Sequence, residues 1–70
     1  MTSDEFRATA IEIFGGRGWV TDLAALVGRD RTTIYRWAHG QHEIDKAVVE
    51  VLKLWRHRVR TTGVRPAPRG

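Results

Sequence analysis

The sequence predicts an all-α domain, a compact bundle of four to five helices. Three observations predict it. Apolar residues recur at helical spacing in four separate segments. Glycines close the first three of these segments, at Gly15-Gly16, Gly28 and Gly40. No segment shows a convincing strand pattern, and with no cysteine in the chain neither a disulfide framework nor a cysteine-ligated zinc site can hold the fold.

The first helix is expected over Ser3 to Phe14. Thr2 and Glu5 have capping-box spacing, and Asp4 and Glu5 place negative charge at the positive helix end. Phe6, Ala10, Ile13 and Phe14 form one apolar stripe. The glycine-rich run Gly15 to Gly18 lacks the remainder of a phosphate-loop pattern and reads as a connector. The second helix is expected from Val20 or Thr21 to Val27, capped by Thr21 or by the preceding loop, with Leu23, Ala24, Leu26 and Val27 facing inward. Asp30 is a good N-cap for a third helix, Arg31 to about His39, in which Ile34 and Trp37 share a face. After the loop Gln41 to Ile44, Asp45 is the expected cap of a fourth helix, Lys46 to about Val59. Its apolar row is Val48, Leu52, Trp55 and Val59, beside a second row of Ala47, Val51 and Leu54. Residues 1–59 thus read as one domain, and residues 60–70, with two prolines and three arginines, as a disordered basic tail.

Charge narrows the function. The 12 Lys+Arg and 8 Asp+Glu leave a net charge of +4, unevenly placed. Met1 to Gly28 carries two basic and four acidic residues, a balance of −2, whereas Arg29 to Gly70 carries ten and four, a balance of +6. Arginine supplies ten of the twelve cations. Its planar fork of donors suits phosphates and guanine edges better than lysine does, although a genome favouring arginine codons accounts for that choice equally well. A chain of 70 residues offers one small domain and little room for an enzyme cleft. At 41% hydrophobic residues it is too apolar for a disordered chain. It has no apolar run of membrane-spanning length and no signal-peptide pattern at its start, so the expected place of action is the cytoplasm.

Two short helices joined at a glycine meet the physical requirements of a helix-turn-helix. Where the helices cross, the residue must be small, and Ala24 stands four positions before Gly28. The turn needs a residue that tolerates positive φ, and Gly28 provides it. The second helix must bury two apolar residues, Ile34 and Trp37, while Arg31, Thr32, Thr33, Tyr35 and Arg36 form a polar surface.

The run Leu23-Ala24-Ala25-Leu26-Val27-Gly28, followed by Thr33-Ile34-Tyr35-Arg36-Trp37-Ala38-His39-Gly40, resembles the Cro/repressor-like (XRE-type) helix-turn-helix family. The resemblance covers roughly Phe6 to Trp55. It implies a lambda-repressor-like bundle with a central helix-turn-helix, dimeric binding to a DNA operator, and repression of transcription. Two positions depart from the family pattern. Arg29 replaces an apolar residue after the turn glycine, and Val20 stands where the family often has a backbone-contacting Gln. Thr21 takes over that contact, or the contact is lost.

The major groove admits an α-helix whose first turns face base edges. Arg31, Thr32, Tyr35 and Arg36 are therefore the base-reading candidates, and Thr21, Arg29, Thr33, Gln41 and His42 the backbone candidates. One recognition helix reads only a few base pairs, so a homodimer on inverted half-sites is expected, with Val48, Val51, Leu52 and Trp55 as its interface unless both rows of the fourth helix are consumed in the monomer core.

Blander readings stand beside these. Trp37 is core; Trp19 and Trp55 are core or interface rather than platforms for single-stranded bases. Arg31 and Arg36 can pair with nearby acids, and Tyr35 can be an ordinary surface aromatic. His39, His42 and His57 do not converge at metal-ligand spacing, no catalytic arrangement is visible, and no cofactor or small-molecule ligand is expected. Arg56, Arg58, Arg60, Arg65 and Arg69 either follow a DNA backbone or solubilise the chain end. The leading expectation is a sequence-specific regulator, a repressor of phage, prophage or mobile-element genes acting on double-stranded DNA. The alternatives are an antitoxin-like or other protein-interaction module, or a non-specific nucleic-acid binder.

Overall fold

A computed structural model describes residues 1–66. The protein is all-helical over this range, with α1 Ser3–Phe14, α2 Trp19–Val27, α3 Arg31–Ala38 and α4 Lys46–Thr62, and no strand among the described residues. α1 lies at the centre and packs against each of the other three, and α2 packs against α3.

The local signals explain the helix limits. Thr2 is the N-cap of α1, and its Oγ1 accepts from the Glu5 N–H at 3.1 Å. Asp30 caps α3 in the same way, accepting from the Thr33 N–H at 3.1 Å. α2 differs from expectation. It starts at Trp19 behind Gly18, which sits in the left-handed region at φ 73°, and no side chain caps it. Thr21 is inside the helix and exposed. Asp45 precedes α4, but its carboxylate accepts from no N–H of the helix start.

α4 runs three residues beyond the expected Val59. Thr61 and Thr62 lie in this added turn, their hydroxyls donating back to the carbonyls of His57 at 2.6 Å and Arg58 at 2.8 Å. Gly63 then ends it in the left-handed conformation, φ 75°. The first three residues of the expected tail are thus helix. Its end, residues 67–70 with Arg69, lies outside the described residues.

The core draws on all four helices. Phe6, Ile13, Leu23, Ile34 and Leu52 are fully buried, and Ala10, Ala24, Trp37, Ala38 and Val48 close around them. Burying each large apolar side chain contributes about 1.5–3 kcal/mol. Phe6 is the hub: Trp19 and Trp37 both meet its ring edge-to-face, each at 6.0 Å between centroids. Such pairs add roughly 0.5–1.5 kcal/mol beyond burial.

Two expectations about facing are corrected. Leu26, expected inward, is exposed, because the inner surface of α2 is filled by Leu23 and Ala24. Val48 and Leu52, expected at a dimer interface, are sealed in the core at 4% and 0% exposure and present no area to a second copy. Val51 and Trp55 are half-buried, and Trp55 packs against the core.

Candidate nucleic-acid interface

The site is built from the α2–α3 turn outward. The Gly28 N–H donates to the Ala24 carbonyl, and so does the Arg29 N–H, at 3.1 Å. Gly28 itself is at φ 70°, the left-handed conformation that a Cβ disfavours. Ala24 is 7% exposed, the small residue on the buried side of this turn. Gly28, Arg29 and the Asp30 cap are thus the whole connection between α2 and α3.

α3 then divides cleanly. Ile34, Trp37 and Ala38 are buried, while Arg31, Thr32, Tyr35 and Arg36 are all exposed. These four positions, i, i+1, i+4 and i+5, lie on one face. Neither Arg31 nor Arg36 takes part in an ion pair among the described residues. The expectation that they pair with nearby acids is thereby answered for direct pairs. Arg36 acts on Asp30 only as a neighbouring positive charge. The Asp30 carboxyl is held below its ordinary value of 3.8, first by the Thr33 hydroxyl, then by the Thr33 N–H, and to a smaller degree by Arg36.

The backbone candidates separate. Thr21, Gln41 and His42 are exposed. Thr33 is half-buried, and its hydroxyl donates to Asp30 at 2.5 Å, so that proton serves the cap. Arg29 Nη2 donates to Asp45 Oδ2 at 2.5 Å, which ties the turn to the start of α4 and explains why Asp45 does not cap. An open groove of about 380 Å³ between α3 and the following loop is lined by Arg36, Trp37, His42, Glu43 and this Arg29–Asp45 pair.

Most cations elsewhere are engaged with the protein itself. Arg7 donates to the Ala38 carbonyl at the end of α3 and pairs with Asp4. Arg60 grips Glu12 through Nε at 2.6 Å and Nη2 at 2.8 Å. That grip holds the Glu12 carboxyl below its ordinary value of 4.5. Arg65 donates to the carbonyls of Glu12 and Ile13, the latter at 3.0 Å, and so supplies positive charge to the last turn of α1, which has no basic residue of its own. Arg56 reaches Thr9 at 3.4 Å and Glu5 at 4.0 Å, and Arg58 lies over the Trp55 ring at 5.5 Å. Arg56, Arg60 and Arg65 all dock onto α1.

Sequence reasoning missed these docking arginines. Arg60 and Glu12 lie 48 positions apart, and no local pattern links them. No helix among the described residues is long and apolar enough to cross a membrane. Compared with family models, curated proteins and solved structures, the chain matches none.

Proposed function

We propose that the protein is a sequence-specific double-stranded DNA-binding regulator of transcription, a repressor, with α3 entering the major groove. One observation carries this reading. α3 offers two arginines, a threonine and a tyrosine on one exposed face with no ion pair on either arginine, while most other arginines are engaged with the protein itself. Arg31 and Arg36 suit bidentate recognition of guanine through O6 and N7. Thr32 and Tyr35 complete the proposed base-facing set, and the exposed Thr21, Gln41 and His42 are the proposed phosphate contacts, which fix register.

The helix order and the Ala24–Gly28–Ile34–Trp37 arrangement support assigning the bundle to the lambda-repressor-like type. The role is binding rather than catalysis, in the cytoplasm, on operators of phage, prophage or mobile-element genes as the resemblance implies. A single α3 spans only a few base pairs, so the proposed active form is a homodimer on inverted half-sites about one helical turn apart.

The test is an anisotropy titration of the 70-residue chain against duplex DNA from upstream of its gene, with scrambled competitor and at two salt concentrations. Specific binding tighter than scrambled by ~10³-fold or more supports the reading. Equal affinity for scrambled DNA refutes it.

A further inference from the structure

The core residues of α4 leave a second, outward face unaccounted for. Leu54 is 68% exposed, the most exposed large apolar side chain of the described residues. Ala47, Val51, Leu54, Arg58 and Thr61 recur at alternating steps of four and three along α4, the spacing of a helix seam that packs against another helix. Glu50 and His57 flank this seam, and together these residues cover about 120° of the helix surface, given about 100° per residue. A shallow groove of about 320 Å³ beside Leu54 is lined also by His57, Arg58, Thr61 and Thr62.

The geometry points to a second copy of this chain as the occupant, its α4 antiparallel, with the two-fold axis at Leu54. The face is self-complementary in that arrangement. Level positions are then those equally far from Leu54 in opposite directions. Leu54 meets Leu54. Val51 of the second copy comes level with His57, in the middle of the groove. Glu50 of each copy comes level with Arg58 of the other, twice by symmetry, so the acidic end of one seam lies against the basic end of its mate. A parallel pairing would set Glu50 on Glu50 and Arg58 on Arg58, and like charges disfavour it. Within one chain Glu50 and Arg58 are only lightly held, Glu50 by Lys53 at 4.0 Å and Arg58 by the Trp55 ring, so both remain available. This inference rests on the dimeric part of the proposed function and replaces the interface of Val48 and Leu52, which the core has consumed.

The absence of cysteine allows a direct test on the full chain without DNA. Leu54→Cys is expected to form an intermolecular disulfide under mild oxidation, while Ile11→Cys, at an exposed position on α1, remains a thiol. Sedimentation should show Leu54→Glu raising the dimer dissociation constant by ~100-fold or more, because the two-fold axis sets the two new carboxylates against each other. Glu50→Arg should weaken association about tenfold, and adding Arg58→Glu should restore it. Circular dichroism confirms that each variant folds. Equal cross-linking at positions 11 and 54, none at 54, or no rescue by the charge swap overturns the proposal. A monomer that binds operator DNA specifically overturns this interface and leaves the regulator reading intact. An antiparallel dimer with no DNA specificity does the reverse.

Discussion

Arg29 Nη2 lies 2.5 Å from Asp45 Oδ2, an ion pair that fastens the turn after Gly28 to the first residues of α4. Both side chains are about half exposed, at 50% and 44%. The pair holds a cation beside the proposed DNA face and neutralises an acid that would otherwise repel phosphate. Asp45→Asn removes the carboxylate charge with little change of shape and so frees Arg29. Stability should change by less than about 1 kcal/mol, the scale of exposed ion pairs. DNA affinity should rise at low salt, and the slope of log affinity against log salt should steepen by up to ~0.9 for one further phosphate neutralised. An unchanged slope in anisotropy titrations would show that Arg29 stays off the DNA backbone.

Arg31 and Arg36 are exposed and without ion pairs, so replacing either by Ala should leave the melting temperature almost untouched; surface substitutions of this kind stay within about 0.5 kcal/mol. Discrimination should respond instead. Each Arg→Ala change is expected to remove about 1–3 kcal/mol of preference for operator over scrambled duplex. Competition binding separates the two effects. A uniform loss on both DNAs would reassign that arginine from bases to phosphate.

Gly28→Ala tests the turn. A Cβ there would meet nothing within 4 Å, so the cost is conformational alone. Holding Ala at φ 70° costs roughly 1–2 kcal/mol. Urea denaturation should show that loss with an unchanged m-value. Specific binding should survive where the variant is folded, because no contact on the exposed face of α3 changes.

The limits of α1 and α3 were legible because their causes are local. Thr2 and Asp30 sit one residue before their helices with a free side-chain oxygen, and the capped N–H lies three residues on. The division of α3 into Ile34 and Trp37 inside and Arg31 and Arg36 outside was legible from periodicity alone. What escaped depends on distant partners. Asp45 has the chemistry of a cap, yet a guanidinium 16 positions earlier in the chain claims its carboxylate. Residues 60–62 are as polar as a loop, yet Arg60 finds Glu12 across the bundle and α4 continues. Two apolar rows on α4 suggested one broad interface, whereas packing against α1 consumes the first row and leaves Leu54 outside.

Acid should weaken the fold in part through two identified carboxylates. Glu12 and Asp30 both have their pKa lowered by folding, Glu12 chiefly by the hydrogen bond from Arg60 and Asp30 chiefly by that from Thr33. A lowered native pKa means that the unfolded chain binds the proton more readily, so the stabilisation is complete above the ordinary values of 4.5 and 3.8 and is lost as pH falls through the native ones. Thermal melts should therefore hold a plateau from neutrality down to about pH 5 and decline below it. Glu12→Gln removes the acceptor charge that holds Arg60, and Asp30→Asn keeps a cap without a titrating group. Both variants should melt lower than the parent at neutral pH, Asp30→Asn by the smaller amount, and each should show a shallower acid decline. If the double variant loses stability with acid as steeply as the parent, other carboxylates govern the transition.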